Sequence, residues 1–162
     1  MAQSRRGALP VDLEAFCDEW FRALKARDTQ AVVNLTTPDI VWDDTVFWPK
    51  VVHGHEELTC YLDVVWSTTP DYDVEELDRY FKPDGTGAVV LWCQTGSAPA
   101  HLATGKRFAF EGCDVLRAFS DGKLSHYQAG YEIVEMCRQL GLIPPRGNRL
   151  GAAYLMSLRS QP

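Results

Sequence analysis

The stretch PDIVWDDTVFWP, residues 38–49, decides how this chain reads. Ile40, Val41 and Trp42 read as a short strand that passes into a loop at Phe47 and Trp48, with two adjacent acids, Asp43 and Asp44, between them. Side chains on a strand alternate between its two faces. If the strand runs on through the acids, one carboxylate faces solvent and the other faces whatever Val41 and Trp42 cover. A carboxylate aimed at an interior is costly unless it is paired or protonated.

Upstream of this stretch, Leu13, Phe16, Cys17, Trp20 and Leu24 recur at helical spacing, with Asp12 placed to cap the helix just after Pro10. Asp28 caps a second short helix, TQAVVNLT, which Pro38 stops. Downstream, VHGHEELTCYLDVVWSTTP turns at Gly54 and reads as a helix with Leu58, Tyr61, Leu62 and Val65 on one face. From residue 72 the pattern changes to strands, over 72–81, 88–96, 108–119 and 123–134. KPDGTG is a turn, SAPAHLATGKR a loop and SDG a tight hairpin. EMCRQLGL adds a last short helix.

Helices first and antiparallel strands after them describe an α+β fold, with helices on one face of a bent sheet. Such a sheet leaves a conical pocket between the layers, the usual place for a small molecule. The 162 residues favour one domain. It is expected over 11–145, with 1–10 a flexible arm and 146–162 a tail that packs on the domain or a partner, through Leu150, Tyr154, Leu155 and Leu158.

Composition narrows the function. Apolar residues make up 46%, charged residues 23%, and the net charge is −6. No basic face is visible, so nucleic acid is not an expected partner. No apolar run is long enough to span a membrane, and no apolar core follows the two N-terminal arginines, so neither an anchor nor a secretory signal is read here. Five widely spaced cysteines in apolar segments read as reduced, buried thiols of a cytoplasmic protein.

Taken together, ARDTQAVVNLTTPDIVWDD, VHGHEEL, VLRAFSDGKL and RQLGLIPP resemble the nuclear-transport-factor-two-like superfamily, and the last two resemble its SnoaL-like polyketide cyclase branch. The resemblance implies a cone-shaped, strongly curved, mostly antiparallel sheet packed on three N-terminal helices, a cystatin-like or SnoaL-like α+β barrel. In the ketosteroid isomerases of this superfamily, the spacing from the acid that caps the second helix to the catalytic base matches the spacing from Asp28 to Asp44. Their oxyanion-binding acid stands nine residues before the lysine of the last hairpin, which here is Asp114. Their oxyanion tyrosine corresponds to Trp20. The SnoaL-like branch keeps an acid three residues before Glu132, where this chain has Ala129. The arginine that limonene epoxide hydrolases require is missing from 88–96.

The resulting expectation is a cofactor-independent isomerase or cyclase acting on an enolisable, polyketide-like carbonyl compound. Asp44 would be the base, and Asp114, helped by Trp20, would hold the enolate oxygen. Trp20, Tyr61, Trp92, Tyr127 and Tyr131 would line the substrate pocket. Glu132 and His101 are further candidates. His53 and His55 resemble half a metal site, but Gly54 between them serves a turn, and no metal is expected. A homodimer through the outer face of the sheet is expected, from the apolar density of 88–93 and 108–119. Two other classes stay open: a non-catalytic ligand-binding or assembly module, and a dehydratase or imine-forming condensation enzyme.

Overall fold

The computed structural model describes residues 11–102 and 105–143. The arm 1–10 and the tail 146–162 lie outside the described residues.

Helix α1, Leu13–Ala26, starts where the Asp12 carboxylate accepts the Ala15 N–H, and it buries Phe16, Cys17, Trp20 and Leu24. Helix α2, Thr29–Asn34, is capped in the same way by Asp28. Strand β1, Thr36–Asp43, follows at once, so Pro38 lies inside a strand rather than stopping a helix. It is tolerated because the ladder is irregular between Thr36 and Val41, where no N–H is required of it. A two-residue strand, β2 (Val52–His53), leads into α3, Gly54–Thr68, which buries Leu58, Tyr61 and Leu62.

Four strands follow: β3 (Asp73–Phe81), β4 (Ala88–Ser97), β5 (Arg107–Ser120) and β6 (Lys123–Tyr131). Asp121 and Gly122, both at positive φ, make the tight turn between the last two, the geometry that matches strand twist. The last strand ends at Tyr131, three residues short of the pattern-based boundary, and α4, Ile133–Gln139, starts directly after it.

The strands form one curved, unclosed sheet in the order β2-β1-β6-β5-β4-β3. Every neighbouring pair is antiparallel except β1 and β6, which run parallel. Register shifts in β3 near Glu76 and in β5 near Ala118 act as bulges, which bend strands and increase twist. Packing brings α1 against β3, α3 against β1 and α4 against β5. Trp20, Ile40, Leu58, Leu62, Leu116 and Leu124 are fully buried between the layers.

The five cysteines are free thiols, but of the expected buried set Cys17 alone is fully buried, Cys93, Cys113 and Cys137 being half-buried. Cys17 is buried, and burial pushes its thiol up to about 12. Cys60 is exposed, because it falls on the outer side of α3, opposite the Leu58–Leu62 stripe. Among the described residues, no helix is long and apolar enough to cross a membrane.

Candidate active site

A cavity of about 310 Å³ opens between the helices and the concave face of the sheet. That is within the size range of small-molecule sites. Asp44 and Asp114 both line it, as do Trp20, Tyr61, Trp92, Tyr127 and Tyr131. No lysine or arginine among the described residues lines it.

The two acids at the end of β1 divide as alternation requires. Asp43 turns outward, and its carboxylate accepts the Thr45 N–H at 3.2 Å and the Thr45 hydroxyl at 2.8 Å. The Asp44 carbonyl accepts the N–H groups of Phe47 and Trp48, curling the chain so that the Asp44 side chain points back inside. Asp44 is 5% exposed. The Tyr131 hydroxyl donates to its Oδ1 at 2.8 Å, and the Tyr61 hydroxyl donates to its Oδ2. The Phe47 backbone N–H also acts on this carboxyl. Burial raises this carboxyl to about 6; the two tyrosines hold it down, and the nearby Asp114 pushes it up.

Asp114, on β5, is 3% exposed. The Trp20 indole donates to its Oδ2 at 2.8 Å. The Trp92 indole at 2.8 Å and the Tyr127 hydroxyl at 2.7 Å both donate to Oδ1. Burial raises this carboxyl as well, against the pull of all three donors. Oδ1 has both lone pairs occupied, so in the acid form the proton belongs on Oδ2.

Trp42 joins the two halves. Its ring stacks on Tyr127 at 3.9 Å and lies 5.8 Å from Tyr61, so the holder of each acid touches it. Its own N–H, sealed in the wall near the Tyr61 hydroxyl, makes no hydrogen bond of good geometry among the described residues.

The structure thus brings eight of the nine expected side chains to the cavity, five aromatics gathered around the two acids, and changes what some of them do. Trp20 was expected to face a substrate oxygen. Its N–H is instead spent on Asp114, because a buried carboxylate in reach is the stronger acceptor. Tyr61 and Tyr131 line the cavity but also clamp Asp44. His101 lines the mouth from a short 3₁₀ turn, Ala100–Leu102. Glu132 is not drawn in: it is exposed at the start of α4 and is not part of the lining. Ala129 lies directly opposite Asp114 in the sheet and presents a methyl group to the interior.

His55 is held by Thr36, through its Nε2 to the Thr36 hydroxyl at 3.1 Å and carbonyl at 3.2 Å. No group of three metal-ligating side chains comes together among the described residues.

Residues that the sequence reading did not single out also line the cavity, among them Trp42, Tyr72 and Gln94. Gln94 had a signal: in AVVLWCQTG it shares a face with Val90 and Trp92, a polar residue on the inward side of an apolar strand. The α4 lid had none. Its Ile133, Met136 and Leu140 close one wall, and the Gln139 amide latches it by exchanging 2.7 Å hydrogen bonds with the Ala109 N–H and C=O.

The family model of the SnoaL-like domain matches residues 17–127. No curated protein matches the sequence at a significant level. Among solved structures, the chain is similar to AclR of Streptomyces galilaeus, described as a candidate hydroxylase, with 18% identity over 91% of this chain and 92% of that one (TM-score 0.66). It is also similar to a protein of ketosteroid isomerase-like fold from Catenulispora acidiphila, solved with trimethylamine, with 16% identity over 80% and 97% (TM-score 0.68). A candidate polyketide cyclase from Bacillus cereus aligns with 19% identity over 80% of each chain (TM-score 0.63). At these identities the likeness is one of fold.

Proposed function

This chain belongs to the SnoaL-like domain family, and from that membership and the setting of Asp44 we propose that it is an isomerase or cyclase for an uncharged, enolisable carbonyl compound. The observation that carries the proposal is a buried, cavity-lining carboxyl clamped by two tyrosine hydroxyls and raised by burial to about 6. A general base works best when its pKa lies near the working pH.

Above pH 6 the Asp44 carboxylate takes a proton from the carbon beside the substrate carbonyl. The C–H electron pair moves into the new C=C bond, and the carbonyl π pair moves onto oxygen, giving an enolate. Asp114 in its acid form donates from Oδ2 to that oxygen, as an acid kept neutral by an apolar site can. Asp44 then returns the proton at another carbon, which is isomerisation, or the enolate carbon attacks a second carbonyl carbon, whose π pair becomes an alkoxide that takes the proton from Asp44, which is ring closure. The aromatic walls hold a flat substrate in the reactive orientation. An open cavity, rather than one filled by its own side chains, favours this reading over a purely assembling module.

The test uses 2-tetralone as probe, with proton exchange into heavy water followed by NMR. The wild type should accelerate exchange beside the carbonyl, and Asp44→Asn should lose a factor of about 10² to 10⁴. Exchange at the wild-type rate in Asp44→Asn would move the base elsewhere.

A further inference from the structure

Counting the polar groups of the cavity separates it into two parts. At the acid end the donors are committed: Trp20, Trp92 and Tyr127 to Asp114, Tyr61 and Tyr131 to Asp44. Trp66 gives its N–H to Thr29. Thr68, Thr69 and, at the mouth, His101 also line the cavity, and on the wall beyond the acids stand two more polar groups, the Gln94 amide and the Tyr72 hydroxyl. Neither has a side-chain hydrogen bond among the described residues.

These two groups sit together. Gln94 faces Val74 across β4 and β3, and Asp73 faces Thr95, so Tyr72 continues the same inward face one step diagonally from Gln94. Trp66 braces the Tyr72 ring edge-on at 5.1 Å. The space over Gly96, next on that face, is filled by Thr69 and the Phe108 ring, which would stand 2.7 Å and 2.8 Å from a Cβ there and so bound the station on that side. Asp114 is paired with Val90, four residues before Gln94, which places the amide about 13 Å farther along the strand. The Trp92 side chain lies in the interval and reaches back to Asp114.

We propose that Gln94 and Tyr72 form a second recognition station that binds an uncharged oxygen substituent, hydroxyl or carbonyl, at the far end of a flat substrate whose reacting carbonyl lies between Asp44 and Asp114. An amide with no partner among the described residues, on a largely apolar wall, is a group able to take one. It both donates and accepts, so it takes a hydroxyl or a carbonyl equally, and the phenol beside it does the same. A negatively charged substituent is disfavoured, since two acids and no lysine or arginine among the described residues line the cavity. The proposal deepens the reading given above and uses from it only that this cavity is the substrate site. The substrate class becomes a two-ended, oxygenated polycycle.

The experiment compares 2-naphthol with naphthalene-2,6-diol by quenching of tryptophan fluorescence, in the wild type and in a Gln94→Leu/Tyr72→Phe double variant. The diol should bind the wild type roughly tenfold more tightly, the worth of one or two net hydrogen bonds. The double variant should lose that preference while keeping its melting temperature and binding 2-naphthol as before. A diol that binds no better than 2-naphthol, including no measurable binding of either, overturns the station. So does a preference that survives in the double variant. The readout is binding alone, so a wrong assignment of the base would leave it unchanged, and it would be exposed separately by exchange in heavy water.

Discussion

Trp92 and Gly112 face each other across β4 and β5, and a Cβ on the glycine would stand 2.4 Å from the indole ring. The bare backbone of Gly112 is what lets Trp92 lie across β5 and reach Asp114. Gly112→Ala should push the indole away and release its hydrogen bond. A cost of about 1–3 kcal/mol is expected for such overpacking, read from urea unfolding, with a change in tryptophan emission. An alanine variant of unchanged stability and emission would mean that the ring has somewhere else to go.

Asp44 should make both activity and stability depend on pH, in opposite senses. Activity needs the carboxylate, so kcat/KM should rise with pH and reach half its plateau near 6. Stability follows the acid form. The folded carboxyl titrates at about 6 and the unfolded one at about 3.9. Between those values the folded state binds more protons, so this group's contribution is complete below pH 4 and is lost as pH rises through 6. The loss amounts to about 3 kcal/mol at most. Asp44→Asn should therefore gain stability over the wild type at pH 8 and show little advantage at pH 4. Melting curves at the two pH values check this directly.

Asp114→Asn should behave differently, because the partners differ. Tyr61 and Tyr131 at Asp44 can turn their hydroxyls to accept from an amide. The indoles at Asp114 can only donate. An asparagine keeps one acceptor oxygen for Trp92 and Tyr127 but sets an NH₂ against the Trp20 N–H. An unpaired buried donor costs about 1–3 kcal/mol. Asp114→Asn should be the less stable of the two amide variants, and adding Trp20→Phe should recover part of the loss. Equal stability of the two single variants would argue against this accounting.

Gln139 should govern closure of the cavity rather than its chemistry. Gln139→Ala removes both hydrogen bonds to Ala109 and frees α4 at the wall made by Ile133, Met136 and Leu140. Faster amide exchange across 133–139 and weaker binding of 2-naphthol are expected, with a global stability change of about 1 kcal/mol. Unaltered exchange in α4 would show that apolar packing alone holds it.

The fold was legible because its signals are local and periodic. Helical spacing through Leu13 to Leu24, the Asp12 and Asp28 caps and the SDG hairpin each rest on a few neighbouring residues. The boundary of β6 was not legible, since YEIV continues an apolar pattern that suits strand or helix equally. The two acids were legible as a pair only through spacing within a family pattern. Their hydrogen-bond partners were not, because the choice of Trp20 for Asp114 instead of a substrate depends on a distance across 94 residues of chain. Tyr72 and the α4 latch depend in the same way on where remote segments meet.

The parallel ladder between β1 and β6 also sets an order of events in time. Thr36 pairs with Leu124 and Asp43 with Gln128, so as the chain leaves a ribosome β1 must wait for β6, which follows it only after α3 and three further strands. Until β6 emerges, β1 has only the two residues of β2 beside it, and Asp44 lacks Tyr131, its partner 87 residues later. Contacts of such long sequence separation slow folding. A nascent chain halted before residue 123 would hold both acids but neither the wall that buries Asp44 nor the tyrosine that completes the Asp114 cluster.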